Sequence, residues 1–174
     1  RNLMIYGTRQ TKRPLRWAMV GGGRGSQIGY IHRSAALRDR YFDLVAGAFD
    51  LDAERGRAFG VELGLEPSRC YADWRALFAE EAKRPDGIEA VSIATPNNTH
   101  YEITKAALES GLHVVCEKPL CFTVAEAEDL QRIAAERGRI VGVTYGYSGH
   151  QVIEHARELV AAGALPVLAQ DLSL

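Results

Sequence analysis

The sequence predicts an α/β fold: a doubly wound, mainly parallel sheet with helices on both faces. Three observations carry that expectation. Short apolar runs alternate with segments of helical period along the 174 residues. Several of those runs, such as Ala90-Val91-Ser92-Ile93-Ala94, are apolar almost throughout, as strands buried on both faces are. Between the first run and the first helix stands a glycine-rich turn, Gly21-Gly22-Gly23-Arg24-Gly25-Ser26-Gln27-Ile28-Gly29. With right-handed crossovers, such a chain is expected to order its strands 3-2-1-4-5-6.

Each element has its own signal. Residues 1–13 are polar, without period and closed by Pro14, so they read as an extension. Leu15 to Val20 is the first strand, and Gln27 to about Asp39 the first helix. Tyr41 to Asp50, a long apolar run ending in an acid, is the second strand. Asp52 is placed to cap a helix that reaches Leu63, with Gly64 as its stop. Arg69 to Tyr71 reads as a short third strand. Asp73 caps a helix from Trp74 to Lys83, and Pro85-Asp86-Gly87 turns the chain. Ala90 to Ala94 is the fourth strand, followed by the loop Thr95-Pro96-Asn97-Asn98 and a helix from Thr99 to Ser110. His113 to Cys116 is the fifth strand, leading into Glu117-Lys118-Pro119-Leu120. Thr123 caps a helix that runs to Arg137 and stops at Gly138; Ile140 to Tyr145 is the sixth strand. From Ser148 a last helix aligns Val152, Ile153, Ala156, Leu159 and Val160 on one stripe and ends at Gly163. The residues after it read as one more strand.

Composition narrows the function classes. Lysine and arginine number 21 against 22 acids, a net charge of -1, which gives no reason to expect nucleic acid or anionic membrane as a partner. The cluster Arg1, Arg9, Lys12, Arg13 and Arg16 reads as a solvated leader. No apolar run has the length of a membrane span and no leader resembles a signal peptide, so a cytoplasmic protein is expected. Cys70, Cys116 and Cys121, odd in number and flanked by apolar residues, are expected as reduced, packed thiols; no metal site is expected.

The candidate chemistry collects at strand ends. Gly21 and Gly23 fill the first two places of a dinucleotide-binding turn. Strict spacing puts Ser26 in the third place, with Gly29 as the helix-packing glycine displaced by a longer loop. Gly25, Ser26, Gln27 and Ile28 complete the turn and the helix start, where bare N–H groups suit a pyrophosphate. Asp50, at the end of the second strand, is placed to accept hydrogen bonds from the adenosine ribose. Its charge repels a 2′-phosphate, favouring NAD over NADP. Its competing job is to cap the next helix, for which Asp52 is the rival. Arg24 offers a guanidinium to a phosphate and weighs the other way.

Thr95, Pro96, Asn97 and Asn98 lie beside the expected switch point of the sheet. Pro96 would supply an apolar wall there and the asparagines uncharged donors and acceptors. His100, just inside the helix, reads equally as structural or functional. Lys118, at the next strand end, is a cation beside the nicotinamide position, suited to holding or polarising a substrate oxygen. Tyr145, Tyr147 and His150 are candidates for a pocket wall.

Taken together, Val20 to Gly29 with His32, Ala94-Thr95-Pro96-Asn97-Asn98-Thr99-His100 and Glu117-Lys118-Pro119-Leu120 resemble the Gfo/Idh/MocA oxidoreductases. This is the family of glucose–fructose oxidoreductase and inositol 2-dehydrogenase. The resemblance covers about residues 14 to 163 and implies a Rossmann domain over 14–147 that binds NAD in preference to NADP. It implies Lys118 as the catalytic lysine, with Glu117 and Pro119 shaping the nicotinamide end and His100 counted among the cofactor-binding residues. It also implies a second domain of open mixed sheet that binds a sugar, cyclitol or related polyol and carries an acid/base pair. Family members are much longer than this chain, so that domain is expected to be largely missing. Residues 148–174 would then hold its connecting helix and first strand. The expected result is a cofactor-binding half that does not turn over polyol by itself. The alternative is a non-catalytic nucleotide-binding or interaction module of the same fold; the missing domain argues for it and the retained Lys118 against it. A flavin or S-adenosylmethionine domain would leave Glu117-Lys118-Pro119 unexplained. Homo-oligomerisation through the stripe of the last helix is a further expectation.

Overall fold

The computed structural model describes residues 12–164. The strand expected after the last helix, and all of the N-terminal extension but Lys12 and Arg13, lie outside the described residues. Strand β1 (Leu15–Gly21) leads to α1 (Gln27–Arg38), β2 (Phe42–Ala48), α2 (Ala53–Glu62) and α3 (Trp74–Glu81). There follow β3 (Ala90–Ala94), α4 (His100–Glu109), β4 (His113–Glu117), α5 (Val124–Arg137), β5 (Val141–Thr144) and α6 (Gln151–Ala161). The sheet runs in the order β2-β1-β3-β4-β5. Its β1–β2, β1–β3 and β3–β4 pairs are parallel. The chain winds outward from β1 to β2 and then returns to β3 on the other side, so the order reverses between β1 and β3.

Side-chain alternation along the strands makes the two faces. Ala18 and Val20 of β1 point into a core shared with Leu77 and Phe78 of α3, Ile103 and Leu108 of α4, and Leu130 and Ile133 of α5. Trp17 and Met19 point the other way, against Ile28 and Ala36 of α1 and Phe59 of α2. Each large apolar side chain buried this way contributes about 2 kcal/mol. The Trp17 indole finds its partner inside the second core, donating to Ser92 Oγ at 3.1 Å. Ser26, Asp52, Asp73 and Thr123 cap α1, α2, α3 and α5 with their side chains. Gly138 ends α5 in the left-handed conformation.

Three expectations need correction. The third strand expected at Arg69 to Tyr71 is contracted to one parallel bridge, Gly47 to Cys70, after a 3-10 turn over Pro67–Arg69. The cause is that Arg69 turns inward. Its Nε donates to Glu81 at 3.0 Å, and the Tyr71 hydroxyl donates to the same carboxylate at 2.9 Å. The bridge still lies on the outer edge of β2, where a third strand belongs, so the expected order holds around it.

The second correction concerns the N-terminal basic cluster. Arg13 and Arg16 are not a solvated leader, because both converge on Glu89. Arg13 makes a two-pronged contact at 2.7 and 2.9 Å, and the Arg16 N–H adds a third bond at 3.0 Å. Third, the sixth strand is shorter than expected and the last helix starts later. Ser148 donates to the Tyr145 carbonyl from both its N–H and its hydroxyl, closing a turn before the helix opens at Gln151.

The described chain divides into two compact units, with the break between Val143 and Thr144. In the second, α6 leaves Val152, Ile153 and Val160 exposed. No helix among the described residues is long and apolar enough to cross a membrane. All three cysteines are free thiols, Cys70 and Cys116 buried and Cys121 partly so. Burial pushes the Cys116 thiol up to about 11.

Candidate cofactor site

The glycine turn sits where the strand order reverses. Gly21 is in register with Ala94 across β1 and β3, and the Gly22 N–H donates to the Ala94 carbonyl at 3.1 Å. Gly21 has φ +76°, and a Cβ there would stand 2.5 Å from that same carbonyl oxygen, so the close approach of the two strand ends requires glycine. A Cβ on Gly29 would collide with the backbone of Gly22, which identifies Gly29 as the residue that lets α1 pack onto the turn. A Cβ on Gly23 would lie 2.6 Å from the Phe49 carbonyl, so the end of β2 is drawn up against the turn as well. Gly25 is different: nothing lies within 4 Å of its Cβ position, and the turn is open there.

Ser26 works as the N-cap. Its Oγ accepts the Gly29 N–H at 3.1 Å, which occupies the side chain within the protein. The N–H groups of Gln27 and Ile28 have no partner among the described residues, and they stand at the positive end of a 12-residue helix. Arg24, expected from the sequence to offer a guanidinium to a phosphate, is ion-paired with Glu62 of α2 and stands 5.8 Å from the Phe59 ring. Arg33 was not singled out by the sequence reading. Its guanidinium donates to the Gly22 carbonyl at 2.7 Å and lies over Phe59 at 5.0 Å, so it holds the turn from behind. Burial lowers its pKa. The available signal was its place four residues after Gly29, on the helix face that meets the turn.

Asp50 lies two residues beyond β2, not within it. One carboxylate oxygen accepts both the Asp52 N–H and the Arg55 guanidinium, each at 2.9 Å. Those contacts, Arg55 first, hold the carboxyl below the usual carboxylate range. The rivalry over capping is resolved in favour of Asp52, which accepts the Arg55 N–H at 2.9 Å. A Cβ on Gly56 would stand 3.2 Å from the Asp50 nitrogen, so α2 begins tightly against this residue.

At the ends of β3 and β4 the two remaining motifs are joined. Pro96, Asn97 and Asn98 are exposed on a short 3-10 turn. Thr99 Oγ1 lies 2.7 Å from both Thr95 Oγ1 and the Pro96 carbonyl. His100 is a correction. It is wholly buried, with Nδ1 2.7 Å from the Pro119 carbonyl and Nε2 2.9 Å from the Thr95 carbonyl, so its side chain offers no atom to a ligand. Glu117, expected to shape the nicotinamide end, turns inward. Its Oε1 lies 2.9 Å from Nε2 of His32 on α1, and its Oε2 accepts the Lys118 N–H at 3.3 Å. Lys118 is exposed, its ammonium has no partner among the described residues, and its bond to Pro119 is cis. Tyr145, Tyr147 and His150 belong to the second unit, where the rings of Tyr147 and His150 stack with centroids 6.0 Å apart.

The glycine turn, the end of β2, the Thr95–Asn98 loop and the Lys118 loop are thus linked by contacts at one end of the sheet. Residues 15–145 match the family model described as an oxidoreductase family with an NAD-binding Rossmann fold. The chain is 60% identical over 164 residues to the uncharacterized oxidoreductase YfiI of Bacillus subtilis, covering 94% of this chain and 42% of that protein. It is 68% identical to an inositol dehydrogenase homolog from Azotobacter vinelandii, solved in complex with NADH and myo-inositol. That match has a TM-score of 0.87 and covers 92% of this chain and 42% of the other. A myo-inositol 2-dehydrogenase from Lactobacillus plantarum is 27% identical, with a TM-score of 0.70 over 87% of this chain and 42% of that one. The chain therefore spans less than half the length of these relatives. It belongs to the Gfo/Idh/MocA oxidoreductase family, of which it carries the NAD-binding Rossmann fold.

Proposed function

We propose that residues 14–147 are the cofactor-binding part of an NAD-dependent dehydrogenase acting on a cyclitol, sugar or related polyol. The observation that carries this is that the Lys118 ammonium, without a partner among the described residues, lies at the same sheet end as the open turn at Gly25 and the two α1 N–H groups that likewise have none among them. In this reading Gln27 and Ile28 donate to the cofactor diphosphate, and Gly25 leaves the space through which it approaches. Asp50 accepts from the adenosine ribose with the carboxylate oxygen not held by Arg55. Pro96, Asn97 and Asn98 face the nicotinamide half. NAD supplies the hydride acceptor when bound. Lys118 holds the oxygen of the reacting carbon and favours negative charge developing there, an electrostatic contribution aimed at the transition state.

The ligands of the Azotobacter protein, NADH and myo-inositol, support the substrate class. The fixed negative charge at Asp50 supports NAD over NADP. A biliverdin reductase from Synechocystis, 32% identical and solved with NADP+, shows that the fold itself admits either cofactor. Because the chain spans 42% of the Azotobacter protein, cofactor binding without turnover is the behaviour proposed for these 174 residues.

Calorimetric titration with NAD and NADP is the direct experiment. NAD should bind more tightly than NADP, and no measurable NAD binding by the folded chain would overturn the reading. Mixing the chain with NAD and myo-inositol should give no NADH absorbance; sustained formation would overturn the proposed lack of turnover.

A further inference from the structure

Two buried histidines reach the residues on either side of Lys118. His32, from α1, meets the side chain of Glu117; His100, from α4, meets the carbonyl of Pro119. The two helices pack on opposite faces of the sheet, so the loop is gripped from both sides. We propose that His32 and His100 are positioning residues for Lys118. They fix the direction of a lysine whose ammonium has no partner among the described residues.

The chemistry of the contacts favours this over simple packing. Glu117 is 8% exposed and His32 7%. A buried carboxylate is costly unless paired, and an apolar residue of similar volume would fill the space more cheaply. Here the carboxylate is used at both ends: Oε1 toward His32, and Oε2 on the N–H of Lys118. The imidazole thereby acts on the lysine backbone through one intermediate group. His100 makes the second link. Its ring spans from the Thr95 carbonyl to the Pro119 carbonyl and so joins the loop after β3 to the loop after β4. A carbonyl oxygen only accepts, so the ring nitrogen that carries hydrogen is the donor, and which of the two it is depends on the tautomer. The exposed Lys118, between two anchored neighbours, then has only its own side-chain rotamers left to vary.

This inference rests on the reading that Lys118 meets the reacting oxygen, and the two are separable by experiment. The full chain has four lysines, Lys12, Lys83, Lys105 and Lys118. Acetylation by a limiting activated ester, read peptide by peptide, gives the relative rate at each. His32→Leu should change the Lys118 rate about threefold or more relative to Lys83, and His32→Gln should restore most of the difference. Glu117→Gln should change it in the same direction, and the double variant His32→Leu with Glu117→Gln no further, as expected of coupled groups. His100→Gln tests the second grip; if that variant does not fold, the His32 arm decides. A fall in melting temperature with an unchanged Lys118 rate would assign both histidines to packing alone and overturn the proposal. Protection of Lys118 by NAD tests the underlying reading separately. Altered rates in the variants without protection by NAD would leave the clamp standing and remove the lysine from the cofactor site.

Discussion

Gly21 closes β1 directly across from Ala94 at the end of β3, and a Cβ on it would come within 2.5 Å of the Ala94 carbonyl oxygen. Gly25, four residues on, has the same sign of φ but no neighbour within 4 Å. The two glycines should therefore separate stability from binding. Gly25→Ala pays only the left-handed backbone penalty, about 1 kcal/mol, or roughly 3 °C of melting temperature for a chain of this size. It also puts a methyl group where the cofactor would approach, so NAD affinity should fall by about tenfold or more. Gly21→Ala adds the clash to the backbone penalty and should cost about 3 kcal/mol. Calorimetric melting and NAD titration of both variants check the contrast. Equal losses of stability would contradict it.

Asp50 carries the proposed choice of cofactor. Asp50→Ser removes the charge that would face a 2′-phosphate and frees Arg55, now held at 2.9 Å, to meet one. The ratio of NAD to NADP affinity should fall by about tenfold, or 1.4 kcal/mol. Removing Arg55 as well, in Asp50→Ser with Arg55→Ala, should return part of that shift. Competition between the two dinucleotides in one titration reads the ratio directly.

How much of this was legible in the sequence depended on whether a role was local. The caps at Asp52, Asp73 and Thr123 use side chains that bond within three residues, so spacing alone indicates them; Ser26, which reads as a turn residue, proves to be a fourth. The nearly all-apolar run of β3 and the glycine turn after β1 declare themselves equally. Roles that depend on distant partners did not show. His100 gives no sign that its ring ends on Pro119, nor His32 that it meets Glu117 across 85 positions of sequence. Arg69 reads as a strand residue until Glu81 turns it inward. Arg24 likewise gives no sign in the sequence of its ion pair with Glu62. Partner choice across the fold, not local propensity, decided each of these.

Glu89 sets a pH dependence of known sign. The Arg13 guanidinium, with the Arg16 N–H behind it, holds this carboxyl at about 2, against an ordinary value of 4.5. A carboxyl whose pKa is lower folded than unfolded lends stability that is complete above its unfolded value and lost as pH falls through the folded one. The difference in stability between the native chain and Glu89→Gln should therefore be constant well above pH 4.5, decline below it, and vanish only once the pH has fallen through about 2. Since Arg13 is half exposed, the plateau should be about 1 kcal/mol and should decline with added salt. Urea melts at a series of pH values measure it.

Lys118 should be dispensable for folding and for holding the dinucleotide. Its side chain is exposed and makes no contact among the described residues, so Lys118→Met should alter stability by less than about 0.5 kcal/mol. NAD affinity should stay within about threefold, since the diphosphate and ribose contacts lie on other loops. A large loss of either would show that the lysine serves the fold or the diphosphate, not a substrate oxygen.

The largest single effect is expected far from the cofactor end, at Arg69 and Glu81. These side chains are 7% and 1% exposed and meet through two hydrogen bonds, at 3.0 and 2.5 Å. Glu81 also accepts from the Tyr71 hydroxyl and the Ile88 N–H, so the carboxylate ties the contracted third strand to the start of β3. Arg69→Met removes the only cation among those contacts and leaves a charge buried among neutral donors. A loss of about 3–5 kcal/mol is expected for one partner removed from a buried pair. That is a large part of the 5–15 kcal/mol a domain typically has. Removing both charges, in Arg69→Met with Glu81→Leu, should recover much of the loss, because no uncompensated charge remains. Tyr71 reports on the same carboxylate. Burial, and then its bond to Glu81, push the phenol up to about 12, so Glu81→Leu should bring its ultraviolet titration to lower pH. If the single variant were as stable as the native chain, the pair would be ornamental, and the inward turn of Arg69 would need another cause.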